Sequence, residues 1–371
     1  MREAVRETER SRDAGERRWQ TQHDPTLSEW VEHWLETIVP NVTRPKTQAT
    51  YRSQMRLHVI PNVGGLRLSD LQPEDCESLY ADLIANGASI HTVSAVHRVL
   101  RASLNEAVRR RRLVMNPVAV ARPPRRQHVE VNPLSIEESK LVLKAAQSTA
   151  NPPRWSIALA LGLRQGEALG LMWSDLDLDA GTLTVRRSVQ RLTWRHGCAS
   201  TPQGPATCGS SRGAECPQRH DGGLQLVEPK TCASRRTIVL PAPLTDELRT
   251  HRTVSLRRRV AANPEPLLHP NLVFASASGG LVDPRRDNDE WNVLLTKAGV
   301  RRVRLHDARH TAATLLLLQG TDIRTLMAVM GWTEMATAQR YTHAVDELRR
   351  RAAQSMASAL WDTSPARGAA R

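Results

Sequence analysis

The sequence contains no run of 18 consecutive apolar residues, and Arg, Gln or Gly interrupts its richest apolar windows. A transmembrane helix is therefore excluded, and no membrane partner is expected. The first residues, MREAVRETERSRDAGERR, lack the apolar segment of a secretory signal, so the expected location is the cytoplasm. Lysine is scarce (Lys46, Lys140, Lys144, Lys230 and Lys297), and the positive charge is nearly all arginine. Cysteine is sparse too: Cys76, Cys198, Cys208, Cys216 and Cys232, four of them within one 35-residue window. In a reducing compartment that argues against a disulfide framework and leaves metal ligation or coincidence. No internal repeat is visible.

The chain has 371 residues, enough for two domains with separate cores. Its hydrophobic fraction of 40% is ordinary for a folded protein. A net charge of +14 remains after abundant Asp and Glu are counted. Such an excess of arginine favours a polyanionic partner, since the guanidinium fork matches phosphate, although a solvated basic surface would give the same count. Charge does not say what is done to that partner.

Residues 1–24 are charged and aperiodic, and read as a flexible tail. Thr26 and Glu29 form a capping box ahead of Leu27, Trp30, Val31, Trp34, Leu35 and Ile38 at helical spacing. A loop at 40–45 leads to a second helix at 46–58, closed by Pro61–Gly65. Further helices are expected at 73–85 and 90–111, which completes a helical domain over 25–121. The Pro-stiffened basic stretch around Arg122-Pro-Pro-Arg-Arg126 reads as a linker, 122–133.

A second capping box, Ser135 to Glu138, opens a mixed domain over 134–345. Helices are expected at 155–163 and 167–172, strands at 181–185 and 237–240, and mostly helix from 287 onward. A long insertion, 191–226, separates the strands. The tail, 346–371, carries apolar residues at near-helical spacing, among them Leu348, Met356 and Leu360. The expected fold class is therefore multidomain and mainly α with a small β-sheet.

Breaking a DNA backbone without a metal needs fixed cations for the phosphate oxygens, a nucleophile, and a proton for the departing oxygen. Four segments supply such groups in order. The first is Gly162-Leu-Arg164-Gln-Gly-Glu167, with Arg164 at a helix start and Glu167 one turn on, able to hold it. The second, Glu228-Pro-Lys230 through Arg235-Arg236-Thr237, enters a strand. The third places His306, Arg309 and His310 on one helical face by i, i+3, i+4 spacing. The fourth runs from Gly331-Trp332 to Tyr341-Thr-His343. Taken singly, each group has a plain structural reading: a surface ion pair, a satisfied histidine, a half-buried tyrosine.

Together and in this order, the four segments resemble the active-site boxes of the tyrosine recombinases, the phage-integrase family, over about residues 26–345. The resemblance implies a helical core-binding domain joined to a mixed α+β catalytic domain, clamped around double-stranded DNA. It implies that Arg164 and Arg309 clamp the phosphate and that Lys230 protonates the leaving 5′-oxygen. His306 would exchange a proton with the nucleophile, and Tyr341 would form a 3′-phosphotyrosyl link. Glu167 would orient Arg164. Trp332 stands where many members carry histidine, and it keeps an N–H donor but cannot titrate. Ala308 stands where Leu is usual. No cofactor would be required, and four copies would act on two DNA sites, with DNA-bending or directionality factors as further partners. An integrase of a phage or other mobile element is the expected role. A type IB topoisomerase-like strand cutter and a non-catalytic DNA-binding relative are the alternatives. His310 and His343 read as structural supports.

Two features lie outside this chemistry. The run Arg109, Arg110, Arg111 and Arg112 at the end of the fourth helix suits DNA-backbone contact or a solvated helix end. The insertion holds His196, Cys198, Cys208, Cys216 and His220 in a Gly-, Ser- and Pro-rich loop that cannot build a core. A structural zinc on Cys198, Cys208, Cys216 and His220 would give it a reason to fold, against the alternative of a flexible hairpin.

Overall fold

Trp30, Trp34, Leu35, Leu79, Leu100 and Leu104 pack into one apolar core in the N-terminal half of the chain. The computed structural model describes residues 24–125, 132–198, 206–229, 235–262, 269, 271–335, 341, 353–358 and 360. They fall into two compact units, Met1–Val129 with Leu192–Asp221, and Glu130–Arg191 with Gly222–Arg371. The expected tail at 1–23, most of the linker at 126–131, Lys230, His343 and most of 346–371 lie outside the described residues.

In the first unit, helix α1 (Leu27–His33) starts at the expected capping box, where the Glu29 carboxylate accepts from the Thr26 backbone N–H at 2.8 Å. It continues through a π turn, Trp34–Ile38, into Val39–Val42. Helix α2 (Pro45–Gln54) continues likewise through Met55–Val59 into Ile60–Val63. Each π turn immediately precedes an X-Pro pair, Val39-Pro40 and Ile60-Pro61. Proline lacks an N–H and would clash with the carbonyl four residues back, so widening the turn lets the chain stay helical. This is why helix persists where the sequence suggested a loop at 40 and a stop near 58. Helices α3 (Pro73–Ala85) and α4 (Ile90–Arg109) complete the unit.

Helix α4 ends with Arg111 at φ 57, in left-handed backbone. The Arg111 and Arg112 N–H groups donate to Val108 O at 2.9 Å and Ala107 O at 2.7 Å. That is the pattern of a Schellman cap, a position where glycine is the usual residue.

The second unit opens with α5 (Ile136–Ala146) and α6 (Pro152–Ser156), the latter extended by a π turn, Ile157–Leu161. Gly162 then adopts φ 59, and α7 (Gln165–Leu169) follows. Strands β1 (Leu176–Asp177), β2 (Thr182–Val185) and β5 (Arg236–Val239) form an antiparallel sheet in the order β1-β2-β5, with Leu183 opposite Ile238 and Val185 opposite Arg236. Strands β3 (Ser188–Leu192) and β4 (Gly223–Val227) pair separately as the stem of the insertion. Helices α8 (Ala242–Ala262), α9 (Pro284–Lys297), α10 (Leu305–Leu318) and α11 (Ile323–Met330) follow. Among the described residues no helix is long and apolar enough to cross a membrane. The tip of the insertion groups with the helical unit, whereas the sequence suggested an appendage of the mixed domain.

Small residues on α10 allow close packing. Ala312 and Ala313 are buried with Met330 and Tyr341, and Ala308 is buried in the cluster that holds Trp155 and Trp291. In that cluster the Trp155 and Trp291 rings lie 5.7 Å apart.

Candidate active site

Arg164 is the N-cap of α7, and its neighbour one turn on fixes it twice. The Glu167 carboxylate accepts from the Arg164 backbone N–H at 3.0 Å and from Nη1 at 2.8 Å. The Arg164 side chain is still 41% exposed, the most open cation of the cluster. Glu167 itself is buried, and it also accepts from Arg236 Nη2 at 2.9 Å and Nη1 at 3.3 Å. Burial works to raise the Glu167 pKa, but Arg236 and then Arg164 overcome it and hold the carboxyl below its ordinary range.

Arg236 was not singled out from the sequence. It is buried at the start of β5, where positions 236 and 238 face inward and 237 and 239 face out. A charged residue at an inward position of an alternating strand is the signal that marks it. Its Nε donates to Val329 O at 2.7 Å, which ties β5 to the end of α11. A Cβ on Gly331 would lie 3.0 Å from the Arg236 Nη1, a tight approach, and its φ of 62 is the left-handed backbone that favours glycine. Gly162 is similarly constrained: a Cβ would lie 2.9 Å from Met330 Cε and 3.0 Å from Ala312 Cβ.

Arg309 is 4% exposed. Its Nη1 donates to Gly162 O at 2.6 Å, and its Nη2 donates to Met330 O. These bonds use two of the five N–H groups of a guanidinium and set its plane from two helix C-termini. Burial first, then the charge of Arg164, pushes the Arg309 pKa down to about 9. The Trp332 ring centroid lies 5.7 Å from the guanidinium carbon. Behind this layer Arg154 donates to both oxygens of Asp287, at 2.9 and 2.7 Å, in a fully buried pair. Gln165 Nε2 joins Asp287 at 2.9 Å and so anchors the residue next to Arg164.

Tyr341 is buried, with its hydroxyl 2.5 Å from His310 Nδ1. Its ring stacks on Trp332, centroids 5.5 Å apart at 22°. His306 sits edge-on to His310, centroids 5.1 Å apart. The histidine in contact with Tyr341 is His310, which the sequence suggested as a support for the tyrosine-bearing segment, while His306 lies against His310. Burial, then His306 and the nearby Arg304 and Arg309, push the His310 pKa down to about 4. Partial desolvation, then Arg309, lowers that of His306. Both rings therefore rest neutral near pH 7.

The structure thus gathers Arg164, Glu167, Arg309, His306, Trp332 and Tyr341 in one place and adds Arg236 and His310. Lys230 lies outside the described residues. The four arginines at the end of α4 are exposed and lie in the other unit. There Glu106 accepts from Arg109 Nη1 at 2.9 Å and Arg110 Nε at 2.8 Å. In the insertion, His196, Cys198, Cys208 and Cys216 come together. His220 does not join them, because its backbone bridges Arg195 and its Nδ1 lies 2.9 Å from Asp221.

Comparison with known proteins shows the family and the fold. Residues 234–363 match the phage integrase family, and residues 26–84 match the N-terminal SAM-like domain of phage integrases. An integrase of Saccharopolyspora erythraea is 39% identical over 98% of this chain and 88% of its own length. An XerC-like tyrosine recombinase of Caldanaerobacter subterraneus is 26% identical over 90% of this chain and 83% of its own. In fold, the Tn1549 transposon integrase, solved with a circular intermediate DNA, superposes with a TM-score of 0.68 at 17% identity, covering 88% of this chain and 99% of the other. A lambda integrase dimer on a core site gives 0.58 at 15% identity, covering 85% and 95%. The chain belongs to the phage integrase family of tyrosine recombinases.

Proposed function

We infer that this site-specific recombinase cuts and rejoins double-stranded DNA by attack of the Tyr341 oxygen on a backbone phosphorus. The observation that carries the reading is the Tyr341 hydroxyl, hydrogen-bonded to His310, in the same cluster as two arginines with donors to offer. Arg164 supplies the exposed cation and Arg309 the buried one for the non-bridging oxygens, where charge grows in the transition state. The tyrosine oxygen forms a bond to phosphorus while the bond to the 5′-oxygen breaks, and Lys230 donates the proton that oxygen takes up. The phenol proton passes to His310 Nδ1, the nearest acceptor, with His306 against its ring. DNA brings negative charge into the field of Arg304, Arg309 and Arg164, which raises the basicity of both histidines when it is needed. Trp332 holds the phenol ring by stacking and has an N–H that it would offer to the phosphate.

The 3′-phosphotyrosyl link conserves the phosphodiester, so rejoining is the same step reversed and no cofactor enters it. The lambda integrase has been solved as a tetramer on a Holliday junction. The same assembly suits this chain: Met356 and Leu360 in the tail are exposed, which suits docking on a neighbouring copy. The helical unit, with Arg109–Arg112 at one helix end, would grip the duplex backbone, and the chain would act in the cytoplasm on the DNA of a phage or mobile element. Directionality factors would choose integration or excision.

Tyr341→Phe should abolish the covalent protein–DNA adduct on a cognate site while specific binding in a gel-shift assay persists. A wild-type protein that never forms an adduct on a site it binds specifically would overturn the catalytic reading.

A further inference from the structure

Strand exchange leaves one cluster of reactive side chains unused. The ligand atoms of His196, Cys198, Cys208 and Cys216 all lie within 4.8 Å of one another, and Cys216 is buried. The cysteines are free thiols. His196 Nδ1 is 3.4 Å from the Cys208 Sγ and 4.0 Å from the Cys198 Sγ. Zinc bonds of about 2.3 Å to sulfur and about 2.0 Å to nitrogen, at tetrahedral angles, give ligand–ligand edges of roughly 3.6 Å for S···N and 3.8 Å for S···S. The two S···N separations bracket the first of these edges, and every other pair of ligand atoms lies within 4.8 Å, close enough to surround one central ion.

The surrounding backbone is built to hold this arrangement without an apolar core. Arg195 and His220 exchange backbone hydrogen bonds at 2.9 and 3.1 Å, closing the hairpin beside His196. A Cβ on Gly197 would lie 2.1 Å from Gln218 O, and one on Gly213 would lie 2.1 Å from Trp194 O. Main chain therefore meets main chain at both places, and only glycine fits. The Arg219 guanidinium covers the Trp194 ring at 4.9 Å. Cys216 is the one apolar-type residue of the tip that joins the buried hydrophobic set among the described residues. A loop of this composition has little burial to offset the entropy of ordering it.

We propose that His196, Cys198, Cys208 and Cys216 bind one zinc ion that folds the tip of the insertion. Three thiolates and an imidazole form a soft, closed, four-ligand set, which selects zinc over magnesium or calcium and leaves no open position for catalysis. His196 binds through Nδ1, and His220 is not a ligand. The ion is structural and stands apart from Tyr341 chemistry, so its presence and adduct formation can be read separately.

The test is metal analysis of the full-length protein purified under reducing conditions from zinc-supplemented cells. About one zinc per chain is expected, the occupancy of one closed four-ligand site. Cys208→Ser and Cys216→Ser should lose it, whereas His220→Ala should keep it. His196→Cys, which restores a fourth soft ligand, should keep the metal, guarding against misfolding as the cause of loss. Cobalt substituted for zinc should show sulfur-to-cobalt charge transfer and the visible bands of a tetrahedral site. Metal-free wild-type protein that stays empty after zinc titration, retention of zinc by the Cys208→Ser and Cys216→Ser variants, bound iron in place of zinc, or a disulfide among these cysteines would each overturn the proposal.

Discussion

The two units bury different kinds of residue. In the helical unit the buried polar residues are Gln48, Ser94, His97, Ser103 and Asn116, all uncharged or satisfied by neighbours, as when Trp30 Nε1 donates to Ser103 at 3.1 Å. In the catalytic unit the buried set includes Arg154, Glu167, Asp175, Arg236, Asp287, Asp307 and Arg309. Among the described residues every buried Arg, Asp and Glu lies in that unit. Burying charge costs several kcal/mol per ion unless each charge is paired, as the Arg154–Asp287 and Arg236–Glu167 pairs are. A unit that needed only stability would be served as well by apolar packing. The catalytic unit accepts the cost because cations fixed before substrate arrives need no reorganisation during reaction.

The sharpest way to break this contrast is Glu167→Ala. It leaves Arg236 buried with its carboxylate partner gone and removes the brace on Arg164. A loss of about 3–5 kcal/mol in stability of the catalytic unit is expected, the usual result of removing one member of a buried ion pair, together with loss of adduct formation. Urea unfolding and a suicide-substrate cleavage assay measure the two; a variant as stable as wild type would show that the pair carries little.

The matching change in the helical unit is Leu100→Ala, at a fully buried position of α4. About 3 kcal/mol should be lost through transfer and cavity terms, yet cleavage by protein that stays folded and DNA-saturated at low temperature should be unchanged. A drop in that single-turnover rate would mean that the helical core also shapes the active site.

A smaller effect concerns pH. The pKa of His310 in the folded protein, about 4, lies below its ordinary value of 6.5. The unfolded chain therefore binds more protons between those values, and stability falls as pH drops from about 6.5 toward 4. His306 acts in the same direction. Melting temperatures of wild type and His310→Gln across that window should converge as pH falls, and parallel curves would remove the titration from the account.

The smallest effect is in the α4 cap. Arg111→Gly relieves left-handed strain of about 1 kcal/mol and should raise the melting temperature of the helical unit. If Arg111 touches the DNA backbone, the same change weakens binding and flattens its salt dependence slightly. Unchanged melting temperature would show that the cap is not strained.

Local chemistry made much of this legible. Capping boxes at Thr26 and Ser135 were readable because their partners lie three residues away. The helix limits near Pro40 and Pro61 were misjudged because proline is a local stop signal, while the π turn that overrides it is held by packing of Trp34, Met55 and Val59. Arg236 escaped notice because its value depends on Glu167, 69 residues away.

The sequence by itself determined the chemistry available to this protein: arginines, histidines, a tyrosine and a cysteine-rich loop in a fixed order along the chain. Tertiary structure decided which of them meet. It set His310 rather than His306 against Tyr341, and His196 rather than His220 among the cysteines. In each pair both histidines are close in sequence to the relevant segment, so spacing cannot separate them. The choice falls to backbone direction, set in one case by the packing of α10 and in the other by the hairpin bridge between Arg195 and His220.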